Sequence, residues 1–330
     1  MAYTVNSAFN QFHDKIKLNK SDYELSLNSR NNLISNIDKL PKNIDNFPPL
    51  YREKHNKFGS FARKTKINPL DDIDLLICIN AQGSTYYEYS PNNVKIISSN
   101  KAKSLLDLSD ENNILNSKKV IEKFKNNLKN ISHYKNAEIN RRQEAVTLSL
   151  DSYKWTFDIV PCFFTSPTNE GKTYYVIPNG KGNWKFTDPR IDQNRITNMN
   201  QRNNGHLLKI IRIFKHIANE YNLFNDNSYL LEVMILNFYE NHPYKGQISE
   251  EIAKLLEYIM IHVQFSINDP QNIRTDINTL DSNEIEKIRK KLSEIHNLTL
   301  VAIDYENKAK TENAIKIWRI LLGNKFPQYG

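Results

Sequence analysis

FGSFARKTKINPLDDIDLLICIN, residues 58–80, is the stretch whose reading decides the fold. A Gly-Ser pair at 59–60 leads into a mostly basic and polar linker, and then Asp72 and Asp74 stand inside a run of Ile and Leu. A carboxylate inside an apolar strand is costly unless it is paired or binds a cation. On a strand, residues two apart point the same way. Asp72 and Asp74 therefore share one face, and Ile73, Leu75 and Ile77 share the other. Two carboxylates held at fixed spacing suit a divalent ion such as magnesium. Gly59 permits a tight turn and close backbone approach. The amides there and the Ser60 hydroxyl can hold β and γ phosphates, with the positive end of a following helix pointed at them. The stretch reads as a site for metal ions and a nucleoside triphosphate.

Two metal ions call for a third carboxylate. KWTFDIVPCFF, residues 154–164, offers one. Trp155, Phe157 and Ile159 face one way along this strand, and Asp158 faces the other with Thr156 and Val160. If the two strands are neighbours, Asp158 faces the Asp72–Asp74 pair.

Around these strands the chain reads as mixed. Residues 5–40 look helical, with Ser21 and Glu24 in a capping-box pattern. PKNIDNFPPLY (41–51) holds three prolines and reads as a connector. Residues 117–131 carry Val120, Ile121, Phe124, Leu128 and Ile131 at helical spacing, and the lysines opposite read as a solvated face, with a nucleic-acid groove as the sharper alternative. AVTLSLD (145–151) and TYYVIP (173–178) read as further strands. After about residue 190 the pattern becomes helical, at 206–221, 229–240, 249–265, 282–295 and 311–322, with Gly323 at a C-terminal stop. SPTNEGKT (166–173) ends like a phosphate-binding loop, but residue 166 is Ser where the first Gly is needed, and a strand follows.

The bulk composition fits this organisation. The chain has 330 residues, enough for two lobes. It carries 39% apolar and 25% charged residues, within the globular range. A net charge of +8 favours an anionic partner. Cys78 and Cys162 lie far apart in apolar runs, which points to buried, reduced thiols and neither a zinc site nor a disulfide framework. No apolar run is long enough to span a membrane, and the N-terminus lacks the apolar core of a signal peptide. A soluble, cytoplasmic protein with no membrane partner is expected.

GSFARKTKINPLDDIDLLI together with FDIVP resembles the DNA polymerase β-type nucleotidyltransferase signature. More narrowly it is similar to the cyclic GMP-AMP synthase and oligoadenylate synthase group, and within it to the bacterial CD-NTase (SMODS) enzymes of anti-phage CBASS systems. VNSAFNQF, VIPNGKGNWKFTDPR, LLKIIRIFKHI, SYLLEVMIL and IKIWRILLGNKFP fit the same group, so the likeness covers nearly the whole chain. It implies an α+β fold, a polymerase β-type mixed sheet with helices plus a C-terminal helical lobe. The expected division is a catalytic lobe at 1–195, which includes the N-terminal helix, and a helical lobe at 196–330 that closes the nucleotide cleft. Residue by residue, the resemblance implies that Asp72 and Asp74 ligate both Mg²⁺ ions, for which Mn²⁺ can substitute. Asp158 ligates the ion that activates the attacking hydroxyl. Gly59 and Ser60 hold phosphates, Lys215 reaches the triphosphate, and Ser228 contacts its terminal phosphates. Tyr229 stacks on a base, a contact that tolerates several bases. Arg212, one turn before Lys215 on about the same helix face, is a further phosphate candidate.

The activity so implied is synthesis of a cyclic di- or trinucleotide messenger from nucleoside triphosphates, the effector acting through the product. No Cys/His cluster stands for a DNA-sensing zinc insertion and no long basic insertion stands for RNA sensing, so a nucleic-acid activator is not expected. Some relatives are conjugated through a C-terminal glycine by a ubiquitin-ligase-like partner, which makes Gly330 a candidate for that role. Two other readings stay open: a template-free nucleotidyltransferase acting on RNA or tRNA, and a catalytically silent nucleotide-binding protein.

Overall fold

A computed structural model describes residues 2–225 and 227–330. The chain divides into two compact units, one formed by residues 21–63 and 70–193, the other by residues 1–20, 64–69 and 194–330.

The first unit is built on strands β1 (Asn56–Phe58), β2 (Asp72–Cys78), β3 (Thr85–Ser90), β4 (Asn93–Ile97), β5 (Glu138–Arg142), β6 (Ala145–Ser149), β7 (Thr156–Phe164), β8 (Tyr175–Pro178) and β9 (Trp184–Thr187). Their order is β1-β2-β7-β8-β9-β4-β3, with β6 also paired to β7 and β5 to β6. β2 and β7 run parallel, while the other pairs are antiparallel. A parallel pair needs a long crossover, and residues 79–155 supply it.

The helices are α1 (Val5–Ile16), α2 (Lys20–Ile37), α3 (Leu40–Asn43), α4 (Gly59–Ala62), α5 (Lys103–Leu106), α6 (Ser117–Leu128), α7 (Pro189–Arg202), α8 (Leu207–Glu220), α9 (Ser228–Asn241), α10 (Ile248–His262), α11 (Ser282–Asn307) and α12 (Thr311–Leu322). α6 packs on β5, β6 and β7 through its apolar face, where Val120, Ile121, Phe124 and Leu128 are fully buried. Its outer face carries exposed Lys118, Lys119 and Lys129.

The second unit is helical. α1 packs on α8 and α12, and α10 packs on α9 and α11. Phe9, Phe12, Phe214, Trp318 and Phe326 lie in one continuous core with the apolar faces of α8 to α12. α1 therefore lies in the same unit as the C-terminal helices. Its buried Phe9 meets Trp318 and Phe326 edge-on at 4.8 and 5.1 Å, which a sequence pattern for a lone amphipathic helix does not specify.

Several boundaries move. α2 begins at Lys20, so Ser21 lies inside its first turn, and Asn19, also a good capping type, precedes it. α11 continues to Asn307, well past 295, because its inner face there is Thr299 and Ala302, small residues that leave little apolar signal. The polar α7 was not foreseen, since Ile196 and Met199 are its only apolar core contributors. α12 ends where Gly323 takes φ 73°, as expected of a glycine stop.

Candidate active site

β2 and β7 pair in parallel with Asp74 opposite Asp158 and Asp72 opposite Thr156. Alternation places Asp72, Asp74 and Asp158 on one face of adjacent strands. Each is half-buried, whereas Ile73, Leu75, Phe157 and Ile159 on the opposite face are buried. The carboxylate face continues into an apolar cluster of Leu76, Cys78, Val160 and Cys162, which roots that end of both strands.

The Gly-Ser pair is placed by the same strand. β1 pairs antiparallel with β2, and Phe58 stands opposite Asp74. Gly59 follows directly, with φ 71°, and opens α4. A Cβ on Gly59 would lie 1.7 Å from Asp74 Oδ2 and 2.5 Å from its carboxyl carbon. Glycine is thus required twice here, by backbone conformation and by space. α4 is a single turn, so the expected helix dipole reduces to a few oriented amides. Phe61 anchors the turn on α2, with the Tyr23 ring at 5.5 Å and the Arg30 guanidinium over its face at 5.9 Å. Gln193 secures the adjoining strand by donating to the Lys57 carbonyl.

These groups fit a divalent cation. The donors are all carboxylate oxygens, as magnesium prefers, and the Gly59 turn crowds Asp74 from one side. Among the described residues no three Asp, Glu, His or Cys side chains are gathered into a finished metal cage. Like charges on one face repel, and a cation is what brings such carboxylates together.

The remaining candidates belong to the helical unit. Ser228 is the exposed first residue of α9, where backbone amides are available to an anion. Tyr229 is half-buried and packs against the helical core. Lys215 is buried in α8, and its Nζ lies 2.5 Å from Glu232 Oε1 on α9. The same Oε1 accepts from Thr65 Oγ1 at 2.9 Å. Arg212 donates to the Lys64 carbonyl at 2.5 Å and to His13 Nε2 at 3.0 Å, so it already serves to tie α8 to α1 and to residue 64. Burial, together with the Arg212, Lys209 and Lys17 cations, pushes His13 down to about 4. Glu232 and Thr65 were missed by sequence reasoning. The signal was present for Glu232, a carboxylate between Leu231 and Val233 in an apolar helix.

Other candidates resolve simply. Lys172 of the SPTNEGKT segment pairs with Glu170 at 2.8 Å in an exposed turn before β8. Cys78 and Cys162 face each other in register, both fully buried, and burial raises the Cys162 thiol well above its ordinary value. At the other end of the chain, Tyr329 forms a parallel bridge with Ala2, and Gly330 follows it. No helix among the described residues is long and apolar enough to cross a membrane.

Known proteins resemble this chain in sequence and in fold. No family model matches the sequence. The chain is 41% identical over 331 residues to a probable cyclic nucleotide synthase of Bacillus cereus (strain VD146), covering 100% of this chain and 99% of that protein. Two structures of CdnC from E. coli MS115-1 superpose over 97% of this chain and 98% of theirs at 14% identity. The complex with HORMA-deltaN gives a TM-score of 0.69 and the structure with ATP gives 0.70. DncV of Vibrio cholerae in its apo form superposes with a TM-score of 0.67 at 14% identity, over 97% of this chain and 96% of that one.

Proposed function

The chain belongs to the cyclic nucleotide synthase family of bacterial nucleotidyltransferases, and from that premise we propose how its residues divide the work of making a cyclic oligonucleotide. Asp72, Asp74 and Asp158 would hold two Mg²⁺ ions, with Mn²⁺ as a substitute. Bound there, the ions supply charge stabilisation at the phosphates and lower the pKa of the attacking hydroxyl. Gly59 and Ser60 hold the phosphates of the donor nucleotide. Lys215 and Ser228 meet the triphosphate, and Tyr229 stacks on a base. Arg212, one turn before Lys215, is a further phosphate candidate that also ties α8 to His13 and the Lys64 carbonyl.

A ribose hydroxyl oxygen attacks the α-phosphorus in line. The new O–P bond forms as the α–β phosphoanhydride breaks, pyrophosphate leaves, and the hydroxyl proton passes to solvent. Holding the attacking hydroxyl and the triphosphate in line is the main contribution a protein makes to phosphoryl transfer. Repetition of the step closes the ring. The observation that carries this reading is the register of Asp74 with Asp158 on parallel neighbouring strands, with Gly59 pressed against Asp74.

The proposed setting is the cytoplasm, in anti-phage defence of the CBASS kind, with the product activating a separate effector. A protein partner is also proposed, in line with the CdnC complex containing HORMA-deltaN. Conjugation through Gly330 by a ubiquitin-ligase-like partner is a separate proposal, drawn from the family resemblance. Deletion of Gly330 should abolish conjugation in cells that hold the partner, and unchanged conjugation would count against it.

The direct test is mass spectrometry of the purified protein incubated with the four ribonucleotides and Mg²⁺ or Mn²⁺, beside Asp72→Ala/Asp74→Ala. A cyclic product made only by the intact chain is expected. Transfer of label to tRNA, with no free oligonucleotide, would favour an RNA-modifying enzyme instead.

A further inference from the structure

The buried network of Lys215, Glu232 and Thr65 has a consequence for substrate binding. Glu232 is 2% exposed and Lys215 is 6% exposed, both far more buried than charged groups usually are. Burying an ion pair is costly and is repaid only by good geometry and further hydrogen bonds. Here the geometry is short and the further bond is present. Lys215 Nζ sits 2.5 Å from Glu232 Oε1, and Thr65 Oγ1 donates to that same oxygen at 2.9 Å. The three residues come from three separate stretches: α8, α9 and the 64–69 segment. That segment runs in sequence between the Gly-Ser turn and β2.

We propose that Glu232 is a positioning residue for the triphosphate, holding the Lys215 ammonium charged and aimed while Thr65 holds Glu232. The inference rests on the assignment of Lys215 to the triphosphate made above. A lysine has four rotatable side-chain bonds and three donors. Without a buried anion beside it, such a group tends to lose its proton or swing to water. With Glu232 fixed from a second side by Thr65, one ammonium proton is committed to the carboxylate, which fixes where the Lys215 side chain ends. The arrangement raises affinity for phosphate charge without touching the base or the reacting hydroxyl. Its loss should therefore appear in triphosphate binding and KM more than in kcat.

The test compares binding of ATP and of AMP to the full chain by isothermal titration calorimetry, with KM and kcat measured in parallel. Glu232→Gln keeps the side-chain shape and removes the charge. The expected result is a loss of ATP affinity of about tenfold, of the size a lost charge-assisted contact gives, with AMP affinity and kcat within about twofold. Tighter ATP binding would overturn the proposal, because it would show Glu232 competing with phosphate for Lys215. Unchanged ATP binding would overturn it as well. Lys215→Met/Glu232→Gln, which removes both charges, separates this proposal from the one beneath it. If the double variant binds ATP like the wild type, the Lys215 assignment itself has failed. If it loses ATP affinity while Glu232→Gln alone does not, only the positioning role has failed. Should Glu232→Gln not fold, Thr65→Val carries the test alone. An ATP-specific loss of about threefold is expected from removing one neutral hydrogen bond, and unchanged affinity overturns the proposal.

Discussion

Gly59→Ala isolates the contact between the phosphate turn and the carboxylates. The substitution adds one carbon where φ is 71°. An L residue in that conformation costs roughly 1–2 kcal/mol. The added carbon would also lie 1.7 Å from Asp74 Oδ2. An ordinary carbon–oxygen contact is about twice that distance, so Asp74 or the turn must retreat by more than an ångström. A displacement of about 1 Å at a reacting site costs about a hundredfold in rate. Stability should fall only modestly, because each kcal/mol corresponds to roughly 2–4 °C of melting temperature in a domain of 150–250 residues. The expected result is a drop in Tm of about 2–8 °C and a loss of pyrophosphate release of at least about a hundredfold. Gly171→Ala supplies the control. Its φ is 77°, and a Cβ there meets nothing within 4 Å. It should lower Tm by a similar amount and leave activity intact. Gly59→Ala protein retaining a third or more of wild-type activity would refute the reasoning, since it would mean that Asp74 does not need the position the turn imposes.

Asp158→Asn should abolish cyclic product formation with Tm unchanged or slightly raised, because one of three like charges on a shared face is removed; a melting curve beside a product assay checks both halves. A pH series of melting curves tests His13. Its folded pKa lies below its unfolded value, so the unfolded chain takes up the proton first. Stability present above about pH 6.5 is therefore lost as pH falls toward about 4. Solvent screening of a half-buried ring limits the effect to about 1 kcal/mol. His13→Gln keeps an acceptor for Arg212 and should flatten this acid loss. Cys78 and Cys162 should both resist a thiol reagent in the native protein at pH 8 and both react in denaturant, as expected of fully buried thiols with burial holding the Cys162 proton; a native-state titer of one or more would contradict the packing of β2 on β7.

Much of this is legible in the sequence alone. The alternation DIDLLIC requires Asp72 and Asp74 on one face because side-chain direction along a strand has a period of two. FDIV assigns Asp158 a face for the same reason. The periodicity of α6, α8, α10 and α12 marked them as helices because each buries one stripe. Helix α11 was read short at its C-terminal end because exposed Leu298, Leu300 and Val301 blur the stripe while Thr299 and Ala302 carry it inward. Those are local properties, written in neighbouring residues. Three others are not. The register that sets Asp74 opposite Asp158 joins strands separated by the whole 79–155 crossover. The docking of α1 among the C-terminal helices depends on Phe9 finding Trp318 and Phe326. The charge balance of Lys215 depends on Glu232 and Thr65 arriving from two other stretches. Chain patterning determines which face a side chain takes on its own element. Which groups then stand opposite one another is decided by packing between elements distant in sequence, because burial rewards any apolar contact alike and only the assembled geometry selects one.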